Sequence, residues 1–442
     1  MSNKDNFDTT YRKTPGTYIT GKDTDDDTYN IVHVDANGHL FAKMVGDAGA
    51  TNVALACDTD GKLYITAAAL PLPTGAATSD NQGKFNGAVS GLSTWKEADG
   101  KPRVSSMPYV YDIAEGNVSG HTPWSKIGYN PSVSTTQEDV WSYGGEYVFP
   151  TEAMTIEVAS DSATADADIG TILFNATCDV GGTTTTLIDA GVDFTATAAV
   201  GDILIVEKSG TSPEWGCITA VANGSLTFAD GLSNGGSCAT ARTYQVLDAS
   251  ASKGAMAVKI DYLTSAYAEK REIIILNVNN QVSSINTDYF RINSFRVIAV
   301  GTKATPTYAA IGNLSIRKAT VASPFYSYIS AGFTRARNTI YTVPAGKTLY
   351  VTQWSVGASA PNDTKIQTCR VMTRTNVEPT TGFRGCGNVF YGYTELLVSN
   401  GVEHVDFTLP TKLNAKTDIK VSVVGITAFS GPVTSVLRGW LE

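Results

Sequence analysis

The segment that decides the fold is residues 116–151, GNVSGHTPWSKIGYNPSVSTTQEDVWSYGGEYVFPT. Its glycines and prolines exclude a regular helix, because glycine is too flexible and proline lacks the amide donor that a helix requires. Its large aromatic side chains are expected to pack against protein rather than face water. We therefore predict an irregular joint between an attachment half and a folded half of the chain. Its rings are predicted assembly or packing anchors: Trp124, Tyr129, Trp141, Tyr143, Tyr147 and Phe149. We expect Trp124 and Trp141 to be largely buried in an assembled oligomer and partly exposed in a single subunit.

The composition of the 442 residues favours β-structure. Only 17% of the residues are charged, 41 are glycine, and a hydrophobic fraction of 42% is enough for folded domains. Long helices are rich in Glu, Lys, Leu and Arg, so this balance predicts an all-β protein with many turns. A chain of this length is expected to form roughly two to four domains. The net charge of −9 disfavours nucleic acid as a partner, because phosphate binding requires a basic surface.

The sequence also bears on location and on cysteine chemistry. No apolar run approaches the ~20 residues that a bilayer requires, so we expect no membrane insertion. The N-terminal residues lack the apolar core of a secretion signal, so we expect synthesis in the cytoplasm. The six cysteines form no C-x-x-C pair, which disfavours zinc and predicts buried thiols. The sequence leaves open whether Cys217 and Cys238, or Cys369 and Cys386, form disulfides.

Residues 1–115 are predicted to form an N-terminal arm with two β-hairpins and an extended strap. The hairpin turns are expected at Asn37-Gly38 and at Asp60-Gly61, since these dipeptides tolerate the positive φ of a two-residue turn. Three aspartates between residues 23 and 27 have the spacing of a calcium loop. The glycine and the glutamate that such a loop needs are missing, so a solvated acidic turn is expected.

Residues 152–320 are predicted to form a β-sandwich that is interrupted by a small β-barrel-like domain at about residues 177–248. The insert contains several short strand patterns and an Asn223-Gly224 hairpin turn. After the insert, residues 256–262 alternate between large and smaller side chains, which predicts a half-buried strand.

Residues 321–442 contain the clearest series of strand patterns and are predicted to form a jelly-roll-like β-sandwich. One strand has an apolar face and a polar face, formed by Ile419, Val421 and Val423 and by Asp418, Lys420 and Ser422. Two packed sheets with short edges are also suited to side-by-side assembly.

The sequence gives little support for catalysis. It contains no G-x-S-x-G nucleophile-elbow motif, no H-E-x-x-H metalloprotease motif and no Walker-type phosphate-binding loop. Ser119 and His121 lie close together in sequence, but at a spacing that no hydrolase triad uses. His33, His39 and His404 are expected to be surface or packed side chains rather than acid–base groups.

The acidic pair Glu138-Asp139 is the remaining catalytic candidate. Cleavage of glycans needs only two carboxyl groups, and aromatic rings beside carboxylates are typical of sugar sites. The same residues are also expected in a structural segment with solvated charges, and this second interpretation is favoured. We therefore predict a protein that is not an enzyme, with no catalytic residues, no cofactor and no bound metal.

Several stretches together resemble structural proteins of tailed bacteriophages. The first is GNVSGHTPWSKIGYNP, followed by EDVWSYGG and then YVFPT, within the aromatic segment. Residues 200–205, VGDILI, are similar to a small β module of phage virion proteins. Other stretches look like parts of that family's first sandwich and C-terminal domain: residues 156–160, 166–170, 288–296, 312–316, 341–348 and 437–441. The resemblance implies a virion component without an assigned place on the particle, and it carries over no catalytic residue.

These features together predict a non-enzymatic structural protein of a tailed-bacteriophage virion. It is expected to be a homo-oligomer, with three chains favoured, that attaches through its N-terminal half as a tail- or fibre-type attachment protein. The alternatives are a capsid decoration protein (a head auxiliary or head fibre protein) and a carbohydrate-binding or depolymerising adhesin. Expected partners are other copies of the chain, other virion proteins of the tail, portal region or capsid, and a host surface receptor or glycan.

Overall fold

The computed structural model describes two compact units, Met1–Ser106 and Met107–Glu442. In the first unit it describes the backbone of six short strands. In the second it describes residues 109–164, 166, 172–210, 212–228, 230–233, 235–302, 309–359, 366–375, 390–426 and 431–442. The described chain is almost entirely β-structure, as predicted, and its sheets are antiparallel.

The first unit contains both predicted hairpins. Four strands form an antiparallel sheet in the order β1 (Tyr18–Lys22), β2 (Tyr29–Val34), β3 (Leu40–Met44) and β4 (Val53–Ala54). The Asn37-Gly38 dipeptide lies between β2 and β3, which pair with each other. The Asp60-Gly61 dipeptide lies between the paired strands β5 (Ala56–Cys57) and β6 (Leu63–Tyr64). The acidic turn at residues 23–27 and the side chains of His33 and His39 lie outside the described residues.

The second unit begins with a short helix and then enters the aromatic segment. The helix α1 (Tyr109–Ala114) is followed by the strand β7 (Thr122–Val133) and the short strand β8 (Glu138–Asp139). The prediction of an irregular segment is therefore wrong for its first half. Proline is tolerated here because β7 is the edge strand of its sheet, and Pro131 lies at a register shift opposite Gly431–Val433.

The first sandwich packs two four-stranded sheets face to face. One sheet contains, in spatial order, β13 (Ser209–Gly210), β17 (Glu269–Ile275), β16 (Ala255–Leu263) and β19 (Arg291–Val300). The other contains β18 (Val282–Ser283), β9 (Ile156–Ser160), β20 (Leu314–Lys318) and β21 (Phe325–Ile329). Apolar side chains from both sheets share one core, which includes Ile156, Val158, Ile260, Phe295 and Leu314. This is the β-sandwich that the sequence predicts.

The predicted insert is a five-stranded curled sheet with its own core. In spatial order it contains β10 (Ile172–Thr177), β15 (Thr243–Leu247), β12 (Ile203–Val206), β14 (Glu214–Phe228) and β11 (Thr186–Asp193). The prediction of a hairpin turn at Asn223-Gly224 is confirmed, because β14 folds back on itself there. The Thr219 hydroxyl donates to the Thr227 carbonyl oxygen at 3.2 Å, and a side-chain carbon at Gly216 would lie 3.4 Å from Cβ of Phe228. A straight strand would hold Gly216 and Phe228 about 40 Å apart. Gly224 has a φ of +73°, as a tight hairpin turn requires.

The insert also changes the environment of β16. Val258 and Ile260 face the core of the first sandwich, whereas Met256 and Ala257 pack against Ile205 and other residues of the insert. The strand is therefore buried on both faces. The prediction of a half-buried strand is wrong, because the insert covers the face that the alternation assigned to solvent.

The C-terminal domain is a jelly roll whose first strand is β7. One sheet contains β7, β28 (Gly431–Leu441), β23 (Leu349–Ala358) and β26 (Gly401–Leu413). The facing sheet contains β22 (Tyr341–Thr342), β27 (Thr417–Gly425), β24 (Gln367–Thr375) and β25 (Tyr391–Val398). Each sheet pairs early strands with late ones, as the double Greek key of a jelly roll requires. The first sandwich and its insert lie in sequence between β8 and β22, and so they interrupt this jelly roll.

Candidate functional site

The aromatic segment crosses the jelly roll and then passes to the first sandwich. β7 pairs with β28 along almost its whole length, and β8 pairs with β27 of the facing sheet. Gly128 permits this crossing, because a side-chain carbon there would lie 2.4 Å from the carbonyl oxygen of Val140. The segment therefore connects the two sheets of one domain before it continues to the other domain.

The second half of the segment forms an aromatic cluster at the junction of the two domains. Trp141 contacts Tyr147 with ring centroids 5.2 Å apart, and Tyr147 contacts Phe149 at 4.9 Å. The Trp141 indole N–H donates to the carbonyl oxygen of Gly145 at 3.0 Å. These contacts make the cluster part of the interior of a single chain. The cluster also packs on residues that come from both domains: Phe325, Tyr328, Ile340 and Phe390.

The predicted anchors have different environments. Trp124 is 8% exposed and meets Tyr341 at 5.2 Å, while Trp141 is 3% exposed. Both rings are already buried in one subunit, so the expectation of partial exposure in an isolated subunit is wrong. Tyr129 is half-buried under the Arg337 guanidinium at 4.1 Å. Tyr143 remains 52% exposed although its ring lies 4.8 Å from that of Phe325.

Asp139 is a structural tie rather than a solvated charge. It is fully buried and accepts hydrogen bonds from the Lys420 ammonium at 2.9 Å, the Ser422 hydroxyl at 2.6 Å and the Tyr147 backbone N–H at 2.7 Å. Burial raises the pKa of Asp139, against the lowering effect of Lys420. The neighbouring Glu138 has a different set of hydrogen-bond partners.

Glu138 caps the loop that follows β7. Its carboxylate accepts from the backbone N–H and the hydroxyl of Ser134, from the Asn130 amide at 2.9 Å and from the Gly145 N–H. Burial alone would raise the pKa of Glu138, but these hydrogen bonds outweigh it and lower the pKa. Both members of the acidic pair are thus occupied by contacts within the chain, and the expectation of solvated charges is wrong for Asp139.

A second buried carboxylate joins the domains beside the aromatic cluster. Asp418 accepts from Arg291 of the first sandwich at 3.1 and 3.3 Å, from Arg374 at 2.5 and 3.2 Å, and from the Thr342 hydroxyl at 2.5 Å. Arg291 also donates to the carbonyl oxygen of Pro150 at 2.6 Å, at the end of the aromatic segment. Burial alone would raise the pKa of Asp418, but Arg291 and these hydrogen bonds outweigh it and hold the pKa below its usual value. The alternation along β27 predicted a polar face here, but not the partners that make it buried.

The four cysteines whose side chains are described divide into one exposed and three buried thiols. Cys178, Cys238 and Cys369 are buried as predicted, whereas Cys217 is exposed on β14, and all four are free thiols. Cys217 and Cys238 therefore form no disulfide, and Cys386 lies outside the described residues. Burial raises the pKa of Cys238 to about 11 and that of Cys369 to about 12, so both remain protonated at neutral pH.

The histidine side chains in the described part of the chain lie at or near the surface. His121 bonds through Nδ1 to the Ser119 carbonyl oxygen at 3.1 Å. His404 is exposed and lies 3.3 Å from Asp406. Within the described residues, no cluster of three or more His, Cys, Asp or Glu side chains has a geometry that could hold a metal ion.

The open edge of the jelly roll is a feature that the sequence did not predict. Within the described residues, β25 and β26 each lie at the end of a sheet, and they follow one another through a short turn on the same side of the domain. Large apolar side chains on these two strands are at least half exposed: Tyr391, Tyr393, Leu397, Val402 and Leu409. A signal was present in the sequence, since β25 has apolar residues on both faces, with Leu397 on one and Leu396 and Val398 on the other. Burial of one face cannot cover all of them.

Comparisons with known proteins identify no relative. No protein-family model and no curated protein matches the sequence. A structure of infectious bursal disease virus, Gt strain, is aligned over 76% of this chain and 77% of that chain, with 8% identity and a TM-score of 0.10. None of the helices in the described residues is long and apolar enough to cross a bilayer.

Proposed function

We propose that the protein is a non-enzymatic structural component of a tailed-bacteriophage virion that assembles with copies of itself through the open edge of its jelly roll. The observation that carries this proposal is the pair of edge strands β25 and β26. An edge strand presents unpaired backbone N–H and C=O groups, and natural proteins normally protect such edges or use them for assembly. Here the edge also carries exposed apolar side chains.

The exposure values favour association over a solvated edge. Leu409 is 84% exposed and Val402 is 74% exposed, on a strand whose neighbour exposes Tyr391 and Tyr393. Single exposed apolar residues are normal, but several on two adjacent strands form a patch of the kind found at protein interfaces. A second copy of the chain offers the same edge, and two edges can satisfy each other's backbone groups. A ring of three chains is the favoured arrangement.

The contacts of the buried aspartates support a structural role. Asp139 and Asp418, both fully buried, tie the aromatic segment and the two domains together. The jelly roll is a fold of viral capsid and lectin domains, which is support by analogy only. The sequence resemblance to phage structural proteins supports the same class. A tail- or fibre-type position is favoured over capsid decoration.

Light scattering during gel filtration tests the proposed interface. The wild-type protein is expected to elute at a multiple of its chain mass. Replacing two exposed edge residues, Val402→Lys together with Leu409→Lys, is expected to give a folded monomer. Val200→Lys, at a residue of the insert that is 68% exposed, is the matched control and should leave the oligomer intact. A wild-type monomer, or a double variant that still assembles, would contradict the proposal.

Cryo-EM of purified particles tests the biological assignment. The protein should be found in the virion, and a few to a few dozen copies would support a tail or fibre position. Hundreds of copies would support capsid decoration instead. Absence from the particle would overturn the virion proposal even if the oligomer forms.

A further inference from the structure

A cleft of about 380 Å³ lies between the first sandwich and the jelly roll, away from the open edge. One wall is the start of β7, with Trp124 and Lys126. The opposite wall is formed by β16, β17 and β19 of the first sandwich. Arg335 contributes from the connection that leads into the jelly roll, and Tyr341 from β22. The cleft is therefore built by both domains and depends on the insertion of one into the other.

The cleft is rich in cations although the chain is acidic overall. Five basic side chains line it, Lys126, Lys270, Arg271, Arg296 and Arg335, against two acidic ones, Asp261 and Glu269. A cation surplus of this kind within a chain of net charge −9 is not a consequence of composition. It is a local property of the walls.

The two carboxylates of the cleft are already engaged. Asp261 lies 2.9 Å from the Lys259 ammonium and 3.4 Å from Arg271, and Glu269 lies 3.1 Å from Lys347. Lys270 is likewise engaged, at 2.7 Å from Asp288. The charge of Asp261 also acts on Lys126, whose pKa it raises, but among the described residues neither carboxylate forms an ion pair with Lys126, Arg296 or Arg335.

Three basic side chains of the cleft have no carboxylate partner among the described residues: Lys126, Arg296 and Arg335. The Arg296 guanidinium lies over the Trp215 ring at 5.3 Å, and Arg335 is exposed. Both arginines therefore keep a positive charge that is available to a bound anion.

Lys126 is the most enclosed of these three cations. Its ammonium donates to the carbonyl oxygen of Asn293 and, at 3.4 Å, to the side-chain oxygen of Asn338. Burial lowers the pKa of Lys126 to about 8, so most molecules still carry the charge at neutral pH. A bound anion would stabilise the charged form further.

The Trp124 ring also lines the cleft and is more than nine-tenths buried. Its indole Nε1 has no hydrogen-bond acceptor within the described structure and is closed off from solvent, so it does not open onto the cleft. The ring, and not the N–H, is therefore the part of Trp124 that a bound ligand would contact.

We propose that the cleft binds a small ligand that carries an oxyanion, either the carboxylate of an acidic saccharide or a phosphate group. Arginine and lysine recognise these oxyanions by charge-assisted hydrogen bonds. The side-chain amide of Asn338 and the backbone around Asn293 hold Lys126 in place. The volume is enough for one or two sugar rings or for a free phosphate, but it is too small for a folded partner.

Isothermal titration calorimetry with three probes tests this inference: inorganic phosphate, a digalacturonate and neutral lactose. Saturable binding of an anionic probe that weakens with added salt is expected, with one site per chain and no binding of lactose. Tighter binding of digalacturonate would assign the site to acidic saccharides, and binding of phosphate alone would assign it to phosphate. No binding of either anion at millimolar concentration, or equal binding of lactose, would overturn the proposal.

Variants locate the binding in the cleft. Arg335→Gln is expected to weaken the binding of the anion at least tenfold, and since Arg335 is exposed this variant should fold normally. Arg370→Gln, at an exposed arginine paired with Glu395, is the matched loss of charge and should have little effect. Equal affinity in wild type and Arg335→Gln would overturn the assignment, whatever the oligomeric state.

Discussion

Replacing Asp418 by asparagine should weaken the junction between the two domains by several kilocalories per mole. The side chain of Asp418 is fully buried and faces two guanidinium groups, those of Arg291 and Arg374, which are 5% and 12% exposed. An asparagine at this position would keep the shape and one acceptor oxygen but would remove the negative charge that both guanidinium groups face. Breaking a buried ion pair in this way costs about 3–5 kcal/mol, because the remaining charge stays buried.

The measurement is urea unfolding, followed by tryptophan fluorescence and far-ultraviolet circular dichroism. Asp418→Asn should lower the free energy of unfolding by about 3–5 kcal/mol relative to wild type. Glu395→Gln is the matched control, because it neutralises an acid that is paired with Arg370 at the surface. An exposed pair contributes about 0–1 kcal/mol, so this control should be almost neutral.

A double-mutant cycle identifies the source of the loss. In a background with Arg374→Met, one of the two stranded cations is absent, so Asp418→Asn should cost clearly less than in wild type. If Asp418→Asn costs no more than Glu395→Gln, or costs the same in both backgrounds, the buried network does not hold the two domains together.

Three further outcomes follow from the structure. Because the folded-state pKa of Asp418 is lowered, its stabilisation is present above the unfolded pKa of about 3.9 and is lost as pH falls through the folded value. The difference in unfolding free energy between wild type and Asp418→Asn should therefore shrink between about pH 5 and pH 2. Gly439→Ala would place a carbon 1.8 Å from the Tyr350 carbonyl oxygen, so overpacking should lower the free energy of unfolding by about 1–3 kcal/mol and with it the melting temperature. Gly191→Ala, whose nearest neighbour lies at 3.7 Å, should leave the melting temperature unchanged. Maleimide labelling of the native protein should lose one site in Cys217→Ser, and an unchanged stoichiometry would contradict the exposure of that thiol.

The sequence predicted the hairpin connections well. Asn-Gly and Asp-Gly dipeptides lie between the paired segments of all three predicted hairpins, at residues 37–38, 60–61 and 223–224, because these residue types tolerate the positive φ of tight turns. They did not set the register, since Val34 pairs with Leu40 and Cys57 with Leu63, whereas a two-residue turn would pair other residues. Local chemistry thus located the chain reversals, but the pairing of the strands decides the length of the loop.

The first strand of the jelly roll and the buried ionic ties depend on partners far away in sequence. β7 could not be predicted as a strand from its own prolines and glycine, because its pairing with β28 and its position at a sheet edge decide that they are tolerated. The burial of Asp139 likewise depends on Lys420 and Ser422. The aromatic rings were correctly singled out, but the contacts that bury Trp141 come from residues about 200 positions later, such as Ile340.

The interrupted jelly roll has a consequence for how the chain acquires its structure during translation. Residues of β7 pair with partners roughly 300 positions later, as Asn130 does with Val433. Synthesis proceeds from the N-terminus, so the first sandwich and its insert can fold on the ribosome while β7 still lacks its neighbour. The final strand then closes the domain from both sides, since β28 pairs with both β7 and β23. A polypeptide released before β28 is made would expose the core of the jelly roll, and quality-control proteases would recognise it as incomplete.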